Sequence, residues 1–351
     1  MARLQRWTTI GLATSTGLLG LTVTSGLGIL AHRFIEEFSR PHTPLDDTTF
    51  TWEMPHDALE PPLACQQALL FQGSDGTVLC GEFWAQTQPA PTIILCHGYR
   101  INRSVLRSIA ATQYSYGFNI FSFDFRGHGQ SESVLTSGGN AEVCDLEAAI
   151  EVAARQPETL AGKIIVHGFS MGASVALLTP PSPHVAAIVA DSPYARSDEI
   201  MRRILQYQLL RAIRRWPFVV RYLSLLCPML VWLTSSLGFV VFRVRFGYDV
   251  VARPAASFKR WQRRARTTLR QPVIPILLIH ALGDELIPIS HARQIAAEAK
   301  ACETPLETLF VEGGSHCGAY GVDPRTYNKT LRAFLSRQLG DDFPASFGDV
   351  A

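Results

Sequence analysis

A serine between two glycines, in the stretch Gly168–Gly172 (GFSMG), is the residue of this chain best suited to nucleophilic chemistry. An apolar run, residues 164–166, precedes it, and a run of small and aliphatic residues, 173–178, follows. This order predicts a strand, a tight turn and a helix, with Ser170 on the turn in a strained backbone conformation and its hydroxyl held clear of the sheet. The glycines lack a Cβ and would let the helix lie close to the strand.

A serine hydroxyl becomes a useful nucleophile when a base takes its proton and a third group orients that base. Such groups are expected just beyond the carboxyl ends of later parallel strands. Asp284 follows the apolar run 274–280, and His316 follows the apolar residues 309–311. The order serine, acid, histidine is the one expected for a strand-to-helix serine turn. We predict that Ser170 attacks an acyl carbon, that His316 acts as base and then as acid, and that Asp284 orients the imidazole.

Two other carboxylates and four other histidines are alternatives. Asp191 also ends a predicted strand, whereas Glu285 adjoins Asp284 but should point the other way. His97 and His128 lie in glycine turns and are expected to bond loop backbone. His280 ends a strand and is expected to be a core residue with its hydrogen bonds satisfied. His291 begins a helix near Asp284.

An anion that forms beside Ser170 needs two amide donors. The backbone N–H of Met171 would be one, because it lies at a helix N-terminus. The backbone N–H of Tyr99 is the second candidate, since Gly98 permits close approach; the alternative is that this glycine serves only a turn. Arg100 and Arg103 could bind an anionic substrate group, although a solvated position is the stronger expectation.

Alternating strand and helix signals from Cys65 to Leu339 must position these residues. They predict an α/β fold with a mostly parallel sheet and helices on both faces. A hairpin is predicted at Gly73–Gly76, and Asn140 is the predicted cap of a helix that runs to about residue 155. The other predicted strands are 92–96, 119–123, 185–190, 273–279 and 307–311, and the other predicted helices are 105–116, 291–300 and 326–339.

Composition sets broad limits on the protein. The 351 residues are 47% hydrophobic and 18% charged, which suffices for one large α/β domain with an insertion. The net charge of +2 gives no sign of a nucleic-acid partner, and we expect none. Seven cysteines without a CxxC pair predict small buried side chains, with neither a disulfide framework nor a metal site.

The N-terminal stretch 7–31 has no charged residue. Twenty-five such residues are long enough to span a bilayer and longer than the apolar part of a secretory signal. We predict a single-pass membrane anchor over residues 1–34 and a tether over 35–64; a cleaved signal peptide and a buried soluble helix are the alternatives. The arginines around the span slightly favour a cytoplasmic N-terminus, with the bulk of the chain on the outer face.

Residues 194–270 form a basic island, with sixteen Arg or Lys against three acids. Within it, residues 222–242 are uncharged and by hydropathy alone suggest a second span. A single crossing there would separate Ser170 from His316, and Pro228 is expected to interrupt a continuous helix. We therefore predict helices that are apolar toward an acyl pocket or dip into the membrane interface.

The basic side chains of this island suit anionic lipid headgroups; the alternative is a solvated face paired with the acidic remainder of the chain. They include Arg202, Arg203, Arg211, Arg214, Arg215, Arg260, Arg263, Arg264 and Arg266.

The motifs His97-Gly98, Asp124–Ser131 (DFRGHGQS), Gly168–Gly172, Gly283-Asp284 and His316 together resemble the α/β-hydrolase superfamily. The similarity is closest to its esterase, monoacylglycerol-lipase-like and serine-aminopeptidase-like branch, and it covers about Cys65 to Leu339. These motifs are specific for the fold and for a Ser-Asp-His triad, but not for a substrate.

The resemblance implies an α/β-hydrolase fold, a helical lid inserted after the strand that ends at Asp191, and hydrolysis through an acyl-enzyme without metal or organic cofactor. The predicted core is 65–193 with 271–340, the lid is 194–270, and the C-terminal tail is 341–351. The predicted function is a membrane-anchored serine hydrolase of carboxylic esters with acyl or lipid-like chains. Alternatives are a peptidase, amidase or thioesterase with the same triad, and a non-catalytic membrane-bound binding protein on this scaffold.

Overall fold

The structure is a computed structural model, and it describes residues 26, 28–40, 66–213, 217–247, 249–264 and 273–346. Most of the predicted anchor and tether lies outside the described residues. The chain divides into two compact units, one of residues 1–38 and 201–250 and the other of residues 39–200 and 251–351.

The larger unit is built on an eight-stranded sheet in the order β1-β2-β4-β3-β5-β6-β7-β8. Strand β2 pairs antiparallel with β1 and β4, and the remaining neighbours are parallel. The predicted mostly parallel sheet is therefore confirmed. Its strands are β1 (Gln66–Gln72), β2 (Val78–Trp84), β3 (Ala90–Cys96), β4 (Asn119–Phe123), β5 (Thr159–Phe169), β6 (Val185–Asp191), β7 (Ile276–Ala281) and β8 (Leu306–Val311).

The central strands are buried because helices cover both faces of a parallel sheet. Every residue of β3, β4 and β7 is buried, which explains why these segments are almost continuously apolar in the sequence. The helices of this unit are α2 (Arg107–Ser115), α3 (Glu142–Ala154), α4 (Met171–Leu178), α7 (Pro254–Arg264), α8 (Ile289–Ala301), α9 (Ala319–Val322) and α10 (Pro324–Leu339).

The start of α3 differs from the prediction that Asn140 caps it. The N-cap position is Ala141, which makes no side-chain cap. Glu142, in the first turn, accepts instead from the amides of Ser137 (2.9 Å) and Gly139 (2.7 Å). A carboxylate at a helix N-terminus stabilises the helix dipole and satisfies the preceding loop, so no cap from residue 140 is needed.

The smaller unit contains a helix over residues 28–39 (α1), most of α5 (Ser197–Ile213) and the long helix α6 (Pro217–Phe246). Pro228 lies inside α6, so the prediction that it interrupts the helix was wrong. A proline removes one backbone hydrogen bond and bends a helix, and the rest of a 30-residue helix can continue through it.

Helix α6 contains a stretch, Leu226–Arg245, with a mean hydropathy of 1.6, which is long and apolar enough to cross a membrane by length and composition. About one third of its most apolar window is buried (33%). By itself this is weak support for membrane association, because core helices of soluble proteins pass the same criterion.

Candidate active site

Ser170 lies on the turn between β5 and α4. Its φ of 54° is in the left-handed region, which disfavours a residue with a Cβ by roughly 1–2 kcal/mol. The turn is held by the neighbouring strand β6, because the Ser170 amide donates to the Asp191 carbonyl at 2.9 Å. The predicted strand–turn–helix arrangement around this serine is present.

The two glycines of the turn allow a close approach of backbone segments. A Cβ at Gly168 would meet the backbone of Gly172 and Ala173 at 2.5 Å. A Cβ at Gly172 would overlap the carbonyls of Cys96 and His97. The loop after β3 therefore lies directly against the first turn of α4.

The structure brings the three predicted residues together. Ser170 Oγ is 2.8 Å from His316 Nε2, and His316 Nδ1 is 2.7 Å from Asp284 Oδ2. Because a carboxylate accepts at Nδ1–H, Nε2 is left to accept the serine proton. This chain of hydrogen bonds joins residues separated by 146 and 32 positions.

Asp284 is buried and held by its own loop. Its Oδ1 accepts the amides of Leu286 at 3.0 Å and Ile287 at 2.8 Å, so one oxygen fixes the loop and the other faces the imidazole. The neighbouring loops meet closely, since a Cβ at Gly283 would lie 2.5 Å from the Gly314 carbonyl. Gly314, with a φ of 74°, also lets the chain after β8 turn sharply before His316.

Sheet order explains why distant residues converge. Strands β5, β6, β7 and β8 are consecutive neighbours and parallel, so their carboxyl ends share one edge. Ser170, Asp191, Asp284 and His316 each follow or end one of these strands.

Asp191, the alternative acid, is not the partner of the imidazole. Its Oδ1 accepts from Ser192 Oγ at 2.9 Å and its Oδ2 from Tyr327 Oη at 3.2 Å. Burial raises the pKa of this carboxyl to about 6, against which the two hydroxyls act. Tyr327 is in turn 3.1 Å from His167 Nε2. Sequence analysis did not select Tyr327 or His167, because neither belongs to a local motif.

The two histidines in glycine turns bond loop backbone, as predicted. His97 Nδ1 lies 2.7 Å from the Gly98 carbonyl, and its Nε2 accepts the Phe125 amide at 3.0 Å. His128 Nε2 accepts the Arg100 amide at 3.1 Å. Burial lowers the pKa of His97 to about 4 and that of His128 to about 3, so both are neutral near pH 7.

The remaining alternatives make contacts with other groups. His280 is buried with Nε2 2.7 Å from the Ile287 carbonyl, although its Nδ1 has no partner among the described residues. His291 Nδ1 accepts the Ala195 amide at 3.2 Å, and Glu285 is exposed.

The two predicted amide donors lie on the segments that flank Ser170. Met171 is the first residue of α4, where backbone N–H groups have no partner within the helix. Tyr99 lies in the loop after β3 that Gly172 approaches. Arg103 is paired with Asp124 and bonds Gln130 Oε1 at 2.7 Å, so its guanidinium braces the loop.

Cys317 is a feature of the site that the sequence analysis did not select. Its Sγ is 3.7 Å from His316 Nε2, and its φ of 57° is left-handed. Burial raises the pKa of this thiol well above its ordinary value, so the sulfur beside the imidazole is neutral. The signal available in the sequence was only its position directly after His316. It is one of six described cysteines, all of them free thiols.

Among the described residues, no group of three or more His, Cys, Asp or Glu side chains is arranged to hold a metal ion.

Comparison with known proteins agrees with this architecture. The family model of serine aminopeptidases, S33, matches residues 87–317. The protein YqkD of Bacillus subtilis (strain 168) is 30% identical over 254 residues, which are 70% of this chain and 70% of YqkD.

Two solved structures share the fold at low identity. The Pyrococcus furiosus esterase Pf2001 is 22% identical with a TM-score of 0.57, over 82% of this chain and 100% of the esterase. The Pyrococcus horikoshii acylaminoacyl peptidase is 18% identical with a TM-score of 0.52, over 80% of this chain and 42% of the peptidase. With the family model spanning most of the chain, the protein belongs to the serine aminopeptidase S33 family of the α/β-hydrolase superfamily.

Proposed function

We propose that this protein is a serine hydrolase that cleaves carboxylic esters, with acyl or lipid-like chains, through an acyl-enzyme. The observation that carries the proposal is the unbroken hydrogen-bond chain from Ser170 Oγ through His316 to Asp284, at 2.8 and 2.7 Å. Nucleophile, base and orienting acid within such distances are the arrangement that activates a serine.

In the proposed reaction, Ser170 Oγ attacks the ester carbonyl carbon while its proton passes to His316 Nε2. The tetrahedral adduct collapses, the bond from carbon to the alcohol oxygen breaks, and His316 returns the proton to the leaving alkoxide. Water then attacks the acyl-enzyme with His316 again as base, which releases the acid and restores Ser170. Asp284 stabilises the imidazolium in both halves.

The amides of Met171 and Tyr99 would stabilise the oxyanion of each tetrahedral adduct. Met171 contributes from the positive end of α4. Gly172 packs closely against the carbonyls of Cys96 and His97, which supports a role for the adjoining Tyr99 loop in binding the oxyanion. Preorganised amides of this kind typically supply about 3–4 kcal/mol each of transition-state stabilisation.

Ester rather than peptide hydrolysis is favoured by the extent of the matches. The chain aligns with the whole length of the esterase Pf2001 but with less than half of the acylaminoacyl peptidase, 100% against 42%. A peptidase or amidase remains the second candidate, because the family to which the chain belongs is that of the serine aminopeptidases, S33. A thioesterase would use the same three residues.

The primary test is labelling of the full chain with a fluorophosphonate probe. We expect wild type to be labelled and Ser170→Ala to be unlabelled. Ser115→Ala, which removes an exposed hydroxyl on α2, is the matched control and should label as wild type. If folded wild type does not react, the non-catalytic binding protein becomes the better interpretation.

A second measurement separates the reaction classes. Initial rates on p-nitrophenyl esters of increasing acyl length are compared with rates on aminoacyl anilides and acyl thioesters. We expect the esters to be cleaved with the highest kcat/KM, rising with acyl length. A preference for anilides would replace the ester proposal with a peptidase.

We further propose that the uncharged stretch 7–31 anchors the chain in a membrane, with the hydrolase on the outer face. Its length and the flanking arginines support this attachment. The full chain is then expected to stay with the membrane after alkaline carbonate extraction, and protease added outside intact cells should digest the hydrolase unit. Release by carbonate would argue against the anchor, and protection from protease would argue against the orientation.

The basic residues of 194–270 are proposed to add contacts with anionic headgroups, and their role as a lid stays a prediction.

A further inference from the structure

Helix α6 presents an apolar row to the outside of the smaller unit. At 100° per residue, the members of this row fall within a stripe about 100° wide. Val244 is 81% exposed, Val240 60% and Met229 51%. The α6 row consists of Leu226, Met229, Leu230, Leu233, Leu237, Val240 and Val244.

The opposite side of the same helix is already occupied. Cys227, Val231 and Phe242 are buried there. A Cβ at Gly238 would lie 3.2 Å from Ile35 Cγ1, so α1 lies close against α6 on this side. The α6 row is therefore a second apolar face, in addition to the one that holds the helix within its unit.

Connectivity argues against a transmembrane orientation of α6. Ser170 precedes the helix and His316 follows it, yet their side chains are 2.8 Å apart, so the chain between them must return to the side from which it left. Helices α5 and α7 carry several charges each, and the undescribed stretches between 197 and 275 are three, one and eight residues long. None of these can supply a second crossing, which takes about 20 apolar residues.

Charge and connectivity indicate what covers the row. Helix α1 begins within the last residues of the uncharged stretch 7–31 and is joined to the end of α6 by an ion pair, Glu36 Oε1 to Arg245 at 3.0 Å. Gln208 of α5 bonds Glu37 at 3.3 Å, so α5 is attached to the same short helix. An anchor in that stretch would hold α6 within a few residues of the bilayer, in a segment with a large excess of arginine.

We propose that the α6 row lies flat in the headgroup and upper acyl region of an anionic lipid bilayer, as a second membrane contact fixed to the anchor through α1. The contact is parallel to the surface, as in interfacial amphipathic helices that bury an apolar face about 5–10 Å deep. This inference rests on the proposed attachment through residues 7–31 and adds the depth and orientation of a different segment.

The test uses the full chain, reconstituted into phosphatidylcholine vesicles that contain phosphatidylglycerol. An environment-sensitive dye is attached to a single non-natural amino acid at position 240, in the row. The matched control carries the dye at position 243, because Arg243 is exposed on α6 but about 90° away from the centre of the row. Nitroxide lipids, labelled near the headgroup or near the chain end, report depth.

We expect the dye at 240 to shift to the blue and to be quenched at least about 5-fold more by shallow than by deep nitroxides, whereas the dye at 243 stays accessible to aqueous quenchers. The shift should shrink in purely zwitterionic vesicles. The substitution Leu237→Asp, one turn away, should abolish the shift at 240 without changing hydrolysis of a short soluble ester, measured in the same samples.

Four results would overturn the inference. A dye at 240 that stays in water on vesicle-bound protein means that the row does not touch lipid. Equal quenching by deep nitroxides means that α6 crosses the bilayer, and a shift that depends on protein concentration without lipid quenching means that a second copy covers the row. Failure of the chain to sediment with vesicles would refute the anchor and this inference together, while loss of ester hydrolysis alone would refute only the proposed activity.

Discussion

Two helices of this molecule, α4 and α6, are both strongly apolar in sequence, but their surroundings differ. Every residue of α4 is buried, and its first turn lies against the backbone of β3. Helix α6 is buried on one side and leaves Trp232, Val240 and Val244 more than half exposed on the others. Apolar composition therefore states that a face must be covered, but only the contacts show whether protein already covers it.

The polar groups of the two regions differ in the same way. At the sheet edge, Asp284 and Asp191 are each held by at least two donors or partners, so the positions of the reacting groups are over-determined. In the smaller unit, contacts between helices include the close approach of Ile35 to Gly238 and an exposed ion pair of Glu36 with Arg245. We expect substitutions at the sheet edge to have large effects and substitutions on the α6 row to have small ones.

The largest effect is expected for Asp284→Asn. An amide at this position can donate to Nδ1 and hold the wrong imidazole tautomer, so kcat on a soluble ester should fall about 10⁴-fold while the fold is kept. Steady-state kinetics and a thermal melt measure the two. Glu285→Gln, at the exposed neighbour, is the control and should retain wild-type kcat; a loss there would mean that the acid was assigned wrongly.

The next largest effect is expected for the buried ion pair that joins the loop after β4 to α3. Arg126 Nη2 lies 2.6 Å from Asp145 Oδ1, with both side chains buried, and its Nη1 lies 2.6 Å from the half-exposed Asp75. Arg126→Gln leaves a buried carboxylate unpaired and should lower the free energy of unfolding by about 3–5 kcal/mol. Asp75→Asn removes the exposed partner of the same arginine and should change it by less than about 1 kcal/mol. Equal effects in urea titrations would contradict the burial argument.

Asp191→Asn should change the pH dependence of stability. Burial raises the pKa of this carboxyl in the folded state to about 6, from an ordinary 3.8, so the fold favours the protonated form. Its stabilising contribution is fully present below about pH 4 and is lost as the pH rises through about 6.

Asparagine cannot ionise, so the variant should lack that loss. The unfolding free energy of the variant relative to wild type should rise by up to about 3 kcal/mol between pH 4 and pH 7. Chemical denaturation at several pH values measures this difference. Curves that stay parallel across the range would show that the pKa of Asp191 is the same in the folded and unfolded states.

Gly172→Ala tests how closely the first turn of α4 packs against the end of β3. The added Cβ would overlap the Cys96 and His97 carbonyls, so β3 and α4 must separate. We expect a loss of about 1–3 kcal/mol in stability from overpacking and, because the amide donors shift with the backbone, roughly 10²-fold lower kcat. Gly28→Ala on α1, where no described residue lies within 4 Å of the added Cβ, should leave kcat and the melting temperature unchanged.

The smallest effect is expected on the α6 row. Val240→Asp replaces a side chain that is 60% exposed, so the unfolding free energy in detergent solution should change by less than about 0.5 kcal/mol. Val231→Asp, on the buried side of the same helix, should instead be strongly destabilising, because it buries a charge. If both variants melt alike, the two sides of α6 are not distinct.

The sequence alone was sufficient for the local features of the catalytic unit. Strand and helix periodicity predicted the parallel sheet, and the glycines around Ser170 predicted the strained turn, because these depend on residues close together in the chain. The order of Ser170, Asp284 and His316 after successive strands also predicted their convergence, since parallel neighbours place their carboxyl ends at one edge.

Only the tertiary structure decided which groups contact one another across long separations. It paired Asp191 with Tyr327, placed the Cys317 sulfur near His316 Nε2, and showed that the Glu142 carboxylate accepts backbone amides at the start of α3, where Asn140 is not the cap residue. It also showed that α6 continues through Pro228 and that Met229, Val240 and Val244 on one apolar face are more than half exposed. Hydropathy has no direction across a helix until its neighbours are known, and a hydrogen-bond partner more than a hundred residues away leaves no local pattern to read.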